Sequence, residues 1–227
     1  MKITWLGQAG LFFETENGTR IMIDPYLSDS VAAIEPKNAR RVPIDPHLFD
    51  LKPDILILTH NHLDHTDPET LSRFLTEESG ITVLASGCAW QTVRKFGGNN
   101  NYVRFNRHTE WTEAGICFRA VYAEHSDEYA IGVLFEAEGK TYYITGDTLY
   151  SSELFADLPA HIDVVCLPVN GVGNNMNFTD AARFVKALGA TAVPLHCGLF
   201  DSIDMMLFPY EPKVVPAFYQ EIKFEKQ

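Results

Sequence analysis

Thr59-His60-Asn61-His62-Leu63-Asp64-His65 follows directly on the apolar run Ile55-Leu56-Ile57-Leu58. Three histidines and an aspartate fall within six residues. Imidazole and carboxylate are ligands for divalent metals of borderline softness. A buried strand that opens into such a cluster is a rigid platform for that ion. From the His and Asp content of the chain, H-x-H-x-D-H arises by chance in fewer than about one such chain in a thousand. The alternative is a solvated His-rich loop, and partners elsewhere in the chain decide between the two.

The chain has 227 residues, 46% of them hydrophobic. That suffices for one sizeable core and speaks against disorder, so a single domain over residues 1–227 is expected. The formal charge is −12. Nucleic acid needs a basic face that releases counterions, so it is not the expected partner; a metal site still presents local positive charge inside an acidic protein. Met1-Lys2-Ile3-Thr4-Trp5-Leu6-Gly7 has no basic region followed by a long apolar stretch. Neither a signal peptide nor a membrane partner is expected. Cys88, Cys117, Cys166 and Cys197 are widely spaced and form no C-x-x-C, which reads as reduced thiols in a cytoplasmic protein.

Outward from the cluster, the start of the chain reads as antiparallel strands. Ile3–Leu6 is apolar, and Leu11–Thr15 and Arg20–Asp24 flank Asn17-Gly18, a tight-turn signal. Residues 25–53 carry five prolines and little periodicity, so a long loop is expected. Asp67-Pro68-Glu69 reads as a helix start: a capping acid, a first-turn proline and an acid beside the positive helix end. A strand over Ile81–Ser86 and a helix over Cys88–Phe96 follow, the latter ended by Gly97-Gly98. Strands return between Tyr102 and Thr145. A short helix over Ser151–Ala156, a buried strand over Ile162–Pro168, an amphipathic helix over Thr179–Leu188 closed by Gly189, and a strand over Ala190–Leu195 complete the pattern. Thr179 reads as that helix's N-cap. Pro209 to Pro216 is loop-like, with a short helix after it. This order of elements predicts an α/β fold of two packed sheets with helices outside.

Partners for the cluster stand at later strand ends, where rigid scaffolds present ligands. His125 follows the strand over Ile116–Ala123, Asp147 follows Thr141–Thr145 and Gly146, and His196 follows Ala190–Leu195. Taken singly, His125 between Glu124 and Ser126 reads as a surface residue, His196 as a core histidine and Asp147 as a helix cap. Taken together with H-x-H-x-D-H, they resemble the metallo-β-lactamase superfamily. Asp24 before Pro25 matches that superfamily's first, structural aspartate. The resemblance runs from about Ile3 to His196. Trp5-Leu6-Gly7, Ile23-Asp24-Pro25 and Gly146-Asp147-Thr148 are most similar to the L-ascorbate-6-phosphate lactonase branch, whose lactonases are longer than this chain.

The resemblance implies the four-layer αβ/βα sandwich of two mixed sheets. It also implies a pair of divalent ions, with His60, His62 and His125 on one, Asp64, His65 and His196 on the other, and Asp147 bridging. Asp24 would hold the His loop without binding metal. All these donors are nitrogen or oxygen, so zinc, manganese and iron all suit, and the lactonase likeness favours manganese. Water shared by two such ions loses a proton near neutral pH, and the hydroxide attacks a carbonyl or phosphorus centre. Asp64 and Asp147 are the expected catalytic carboxylates: Asp64 to orient the nucleophile, Asp147 to lower repulsion between the ions.

The expected function is metal-dependent hydrolysis of a small ester, lactone or phosphorylated metabolite, with a homo-oligomer compatible. A phosphodiesterase of the same fold and a non-catalytic metal-binding protein are the alternatives. Residues 24–49 and 198–204 are expected to wall the pocket. Asn170–Asn177, rich in Gly and Asn, reads as a polar loop that could receive an anion at the following helix start. His47, His108 and His161 match no motif and read as surface residues, and Cys197 as a packing residue.

Overall fold

The structure is a computed structural model that describes residues 1–224. Among these, twelve strands form two six-stranded sheets. The first sheet orders β1 (Lys2–Gly7), β2 (Gly10–Glu14), β3 (Arg20–Ile23), β4 (Ile55–Leu58), β5 (Thr82–Ala85) and β6 (Asn101–Arg104) side by side. The second contains β7 (Glu110–Glu113), β8 (Ile116–Tyr122), β9 (Ile131–Ala137), β10 (Lys140–Ile144), β11 (Val164–Pro168) and β12 (Thr191–Leu195), again in sequence order. Each sheet is mixed. Pairing is antiparallel from β1 to β3 and parallel from β3 to β6. In the second sheet it is antiparallel from β7 to β10 and parallel from β10 to β12.

Four helices are α1 (Ser30–Ile34), α2 (Pro68–Leu71), α3 (Gly87–Val93) and α4 (Phe178–Leu188). The layers follow from strand periodicity, because alternate side chains point to opposite faces. Ile3, Trp5, Leu11, Phe13, Ile21, Ile23, Ile55 and Ile57 face the core between the sheets. Their neighbours Leu6, Phe12, Met22, Leu56 and Leu58 pack outward with Leu71 after α2's start and with Ala89 and Val93 of α3. Across the inter-sheet core, Phe13 meets Phe135 edge-on at 5.3 Å between ring centroids. On the far side of the second sheet, Tyr143 meets Phe184 of α4. The result is the expected helix–sheet–sheet–helix sandwich.

Three local expectations are corrected. Residues 25–53 are not one irregular loop: they contain α1 and two 3₁₀ turns, Pro36–Asn38 and Pro46–Asp50. Pro36 and Pro46 open those turns where a missing N–H costs nothing. At α4 the cap is Asn177, whose side chain accepts from Asp180 N, and not Thr179. After Pro216 no helix forms up to residue 224. The segment instead runs back along β1: Tyr219 N donates to Trp5 O, Trp5 N to Gln220 O, and Ile222 N to Ile3 O. Phe218 stacks on Trp5 at 4.3 Å. The edge strand's free backbone groups are thereby paired, which protects the sheet edge.

Among the described residues, no helix is long and apolar enough to cross a membrane.

Candidate metal centre

The topology alone brings the candidate ligands to one place. β1 and β3 both run antiparallel to β2, and β4 runs parallel to β3. Their C-terminal ends therefore share one edge of the first sheet. By the same parity, β8, β10 and β12 end on one edge of the second. The chain leaving these six strands supplies Gln8, Asp24, the His60–His65 segment, His125, Asp147 and His196. The two edges touch: Ile131 N donates to Thr59 O at 3.1 Å.

Gly146 permits this approach. Its φ is +60°, and a Cβ there would sit 2.7 Å from Ile131 O and 3.0 Å from Thr59 Cβ. Gly146→Ala is expected to destabilise the fold by about 2–4 kcal/mol, from left-handed strain together with overpacking. Urea denaturation of metal-free protein checks this, and an unchanged midpoint would contradict it.

The structure gathers the predicted residues into two adjoining groups. His60, His62, His125 and Asp147 each offer a ligand atom within 4.8 Å of the others, and so do Asp64, His65 and His196. Asp147 touches both groups: its Oδ1 lies 3.2 Å from His65 Nε2 and 3.4 Å from His196 Nε2. Asp64 Oδ2 is 3.3 Å from His196 Nε2.

Asp24, which forms a third such group with His60 and His65, is buried beneath the cluster and hydrogen-bonds the Thr59–His65 loop. It accepts from Thr59 N at 2.8 Å, from Thr59 Oγ1 at 2.5 Å and from His65 Nδ1 at 2.9 Å. The last bond fixes a proton on His65 Nδ1 and directs Nε2 toward Asp147. The Thr59 hydroxyl has given its one proton to Asp24, so at 3.1 Å it accepts from His60 Nδ1, and His60 Nε2 is left bare. His125 is arranged differently. Its Nδ1 accepts from Asp127 N at 2.9 Å, so the neutral ring carries its proton on Nε2, and ligation through Nε2 requires that proton to shift to Nδ1 or the ring to turn.

His60 Nε2, His125 Nε2 and Asp147 Oδ1 are buried without a hydrogen-bond partner. Each such orphan costs about 1–3 kcal/mol. A divalent cation bound where they converge would satisfy His60 Nε2 and Asp147 Oδ1, and His125 Nε2 once its proton has moved to Nδ1; an all-nitrogen-and-oxygen donor set suits one. These residues fit a metal.

Charge is divided unevenly across the centre. Burial, reinforced by the neighbouring His65, holds the His60 proton affinity well below the ordinary histidine range. Burial likewise pushes His125 down to about 4. Burial opposes charge on His65 and His196 too, but there the carboxylates win. Asp147, Asp64 and Asp24 raise His65 well above its usual value, and Asp147 and Asp64 raise His196. Both aspartates are disfavoured by burial, yet the two histidines keep Asp64 and Asp147 ionised far into acid.

Sequence reasoning missed the amides that brace the centre. Gln8, buried with φ +50°, directs Nε2 to Asp64 Oδ2 at 2.9 Å and to His196 Nδ1 at 3.1 Å. Its carbonyl accepts from His196 N and from Trp5 Nε1. Asn175 Nδ2 donates to Asp147 Oδ2 at 3.1 Å, and Asn170 Nδ2 meets His196 Nδ1 at 3.2 Å. His47, His108 and His161 are exposed beside Asp50, Asp157 and Asp163 respectively, away from the centre. Cys197 is buried, and burial pushes its thiol up to about 12; it packs and is not a nucleophile near neutral pH.

A cleft of about 440 Å³ opens onto Asp64, Asp147 and His196. Two of its walls are the expected ones, Val31 to Asn38 on one side and Phe200 and Asp201 on another; the Asn170–Asn175 loop, read from sequence only as a polar loop, forms a third. The α4 start beyond that loop is filled by its own Asn177 cap, with Asp180 in the first turn, so it offers no anion site.

The family model for a β-lactamase superfamily domain matches residues 2–196. A UPF0173 metal-dependent hydrolase of Geobacillus thermodenitrificans is 34% identical over 212 residues, covering 89% of this chain and 88% of the relative. A UPF0173 protein of Pyrococcus furiosus is 28% identical, covering 93% and 90%. Igni18, a metallo hydrolase from Ignicoccus hospitalis, superposes with a TM-score of 0.77 at 21% identity, over 100% of this chain and 99% of that one. An isothiocyanate hydrolase from Delia radicum gut bacteria gives 0.75 at 21%, over all of both chains. At that identity the two structures share the fold alone; the family is carried by the sequence matches. The chain is a metal-dependent hydrolase of the UPF0173 family, within the metallo-β-lactamase superfamily.

Proposed function

We propose that the centre holds two divalent cations and that the protein hydrolyses a small ester, lactone or phosphorylated metabolite. His60, His62 and His125 would hold one cation, Asp64, His65 and His196 the other, and Asp147 would lie between. The observation that carries this is Asp147 itself. It belongs to the first group by ligand distance, while its Oδ1 reaches both imidazoles of the second and has no hydrogen bond of its own. The likeness to the L-ascorbate-6-phosphate lactonase branch supports the lactone, and zinc, manganese and iron all suit the donors.

Bound in pairs, such cations supply an acidified water and polarise the electrophile. The protein's own share is orientation and proton placement. Asp24 fixes His65 with its proton on Nδ1. Gln8 holds the Asp64 carboxylate against His196, and Asp64, at the cleft wall with a side chain 18% exposed, faces the substrate side and is placed to orient the attacking water. The complete donor set stands against a non-catalytic metal-binding role.

Elemental analysis of gently purified protein should find about two metal ions per chain. Lactones, phosphodiesters and thioesters screened against Mn²⁺-, Zn²⁺- and Fe²⁺-loaded protein should yield turnover. No metal after purification, and no uptake of added Mn²⁺ or Zn²⁺, would sink this reading.

Cation uptake should depend on pH unequally in the two halves. At pH 6, His60 and His125 are neutral. His65 and His196 have raised proton affinities, so at least one proton sits between their Nε2 atoms, which are 3.2 Å apart. A cation bound to Asp64, His65 and His196 must displace it. Affinity there therefore falls as pH falls, by about tenfold per unit for each proton released. His60 and His125, already neutral, have no proton to displace over the same range. Calorimetric titration of Mn²⁺ in buffers of different ionisation heat measures the protons released, and equal release in both binding steps would contradict this assignment.

A further inference from the structure

On the hydrolase reading above, we infer that the substrate is a small electrophile whose portion away from the reacting bond is uncharged and apolar, with no phosphate or carboxylate on that portion.

The cleft has two chemically different ends. At its inner end Asp64 and Asp147 neutralise only half the charge of two divalent cations, so the polarised oxygen of the scissile group is attracted there. The outer end is different. Among the described residues, no lysine or arginine lines the cleft, whereas Glu35 and Asp201 do. Nearby cations stand outside the lining. Arg40 donates to Tyr26 O and Tyr219 Oη. Lys37, four-fifths exposed, lies 3.8 Å from Glu35. One Asp201 oxygen accepts from Gly198 N and Ile203 N, which fixes the carboxylate at the rim. A phosphate or carboxylate on the far side of a substrate would therefore meet the fixed Asp201 carboxylate and no cation in the cleft wall.

What the outer end offers is hydrocarbon. Ile34, at the end of α1, is 73% exposed, and Val172, on the opposing loop, is 60% exposed. Both line this cleft, with Leu63 and Phe200 deeper in. Large aliphatic side chains held in water on two facing walls gain most when an apolar group enters between them, at roughly 25 cal/mol per Å² covered. A volume of about 440 Å³ suits a metabolite-sized ligand and not a polymer. Repulsion by the acidic rim selects against anions, and apolar contact selects for neutral substituents.

Two esters with one leaving group separate these alternatives. Full-length protein loaded with two Mn²⁺ ions is assayed on 4-nitrophenyl butyrate, which is neutral, and on mono-4-nitrophenyl succinate, which is similar in length but ends in a carboxylate. The neutral ester is expected to show a kcat/KM at least about 30-fold higher. Glu35→Lys should narrow that ratio, chiefly by lowering KM for the succinate, and Ile34→Ser should raise KM for the butyrate several-fold. Equal rates, a preference for the succinate, or turnover of neither ester by chain carrying two ions overturns the inference. A chain that takes up no metal overturns instead the hydrolase reading on which it rests.

Discussion

Asp147→Asn should cost hydrolysis a factor of about 10² to 10⁴, equivalent to the roughly 3–5 kcal/mol lost when one partner leaves a buried set of charges. The amide is nearly the same size as the carboxylate, so the reason is chemical. Asp147 uses both oxygens: Oδ2 accepts from Asn175 Nδ2 at 3.1 Å, and Oδ1 faces His65 and His196 at 3.2 and 3.4 Å. An asparagine has one acceptor. With its oxygen toward Asn175, its NH₂ points at the cations. With its oxygen toward the cations, two NH₂ groups face each other. Either orientation also leaves the positive charges in a buried space less compensated. Metal content should fall below two ions per chain, and the Mn²⁺-loaded variant should lose the spin-coupled paramagnetic signal of a paired centre. The far-UV circular dichroism spectrum should not change, because Asp147 lies beyond the end of β10 and carries no strand pairing. Unchanged turnover at equal metal loading would remove Asp147 from the centre.

The ligand positions were legible in the sequence for a physical reason. Each stands just past the end of a sheet strand, and a parallel or parity-matched strand delivers its C-terminal residue to the same sheet edge. His60, His125, Asp147 and His196 could be located by that rule before any contact was known. Gln8 obeys it as well, since it follows β1 inside Gly7-Gln8-Ala9-Gly10. It was missed because a neutral amide is not a metal ligand, and only the fold shows it holding two of the proposed ligands, Asp64 and His196. Its position after an apolar strand within a glycine-flanked turn was the available signal. α1 was invisible for a different reason: five residues are too few to show helical periodicity. The return of residues 219–222 along β1 depends on pairing between the two ends of the chain, which no local pattern encodes. The ring orientation of His125 belongs to the same class, because it is set by a backbone N–H at Asp127 and not by residue type.

Asp24→Ala should damage folding and metal binding together, and the two effects can be separated. The carboxylate is 1% exposed and accepts three hydrogen bonds, from Thr59 N, Thr59 Oγ1 and His65 Nδ1. Alanine strands the Thr59 N–H, the hydroxyl and the imidazole N–H in a space that water does not reach. At about 1–3 kcal/mol for each buried group left unpaired, partly offset by relaxation, a loss of about 3–5 kcal/mol is expected in denaturant unfolding of the metal-free protein. The left-handed backbone at this residue, φ +43°, adds strain that an aspartate bears more easily than an alanine. Metal affinity should drop by a further 10- to 100-fold, the usual effect of losing the carboxylate that orients a ligating imidazole. That loss should fall on the Asp64–His65–His196 half, because His65 is the ring that Asp24 fixes. Asp24→Asn supplies the separation. It keeps an acceptor for Thr59 N and fills the same space, so it should recover much of the stability. Its NH₂ then opposes either the hydroxyl or His65 Nδ1–H, so the metal defect should persist. If Asp24→Asn restored metal binding as fully as stability, Asp24 would be a packing residue, and the orientation of His65 would have to come from elsewhere.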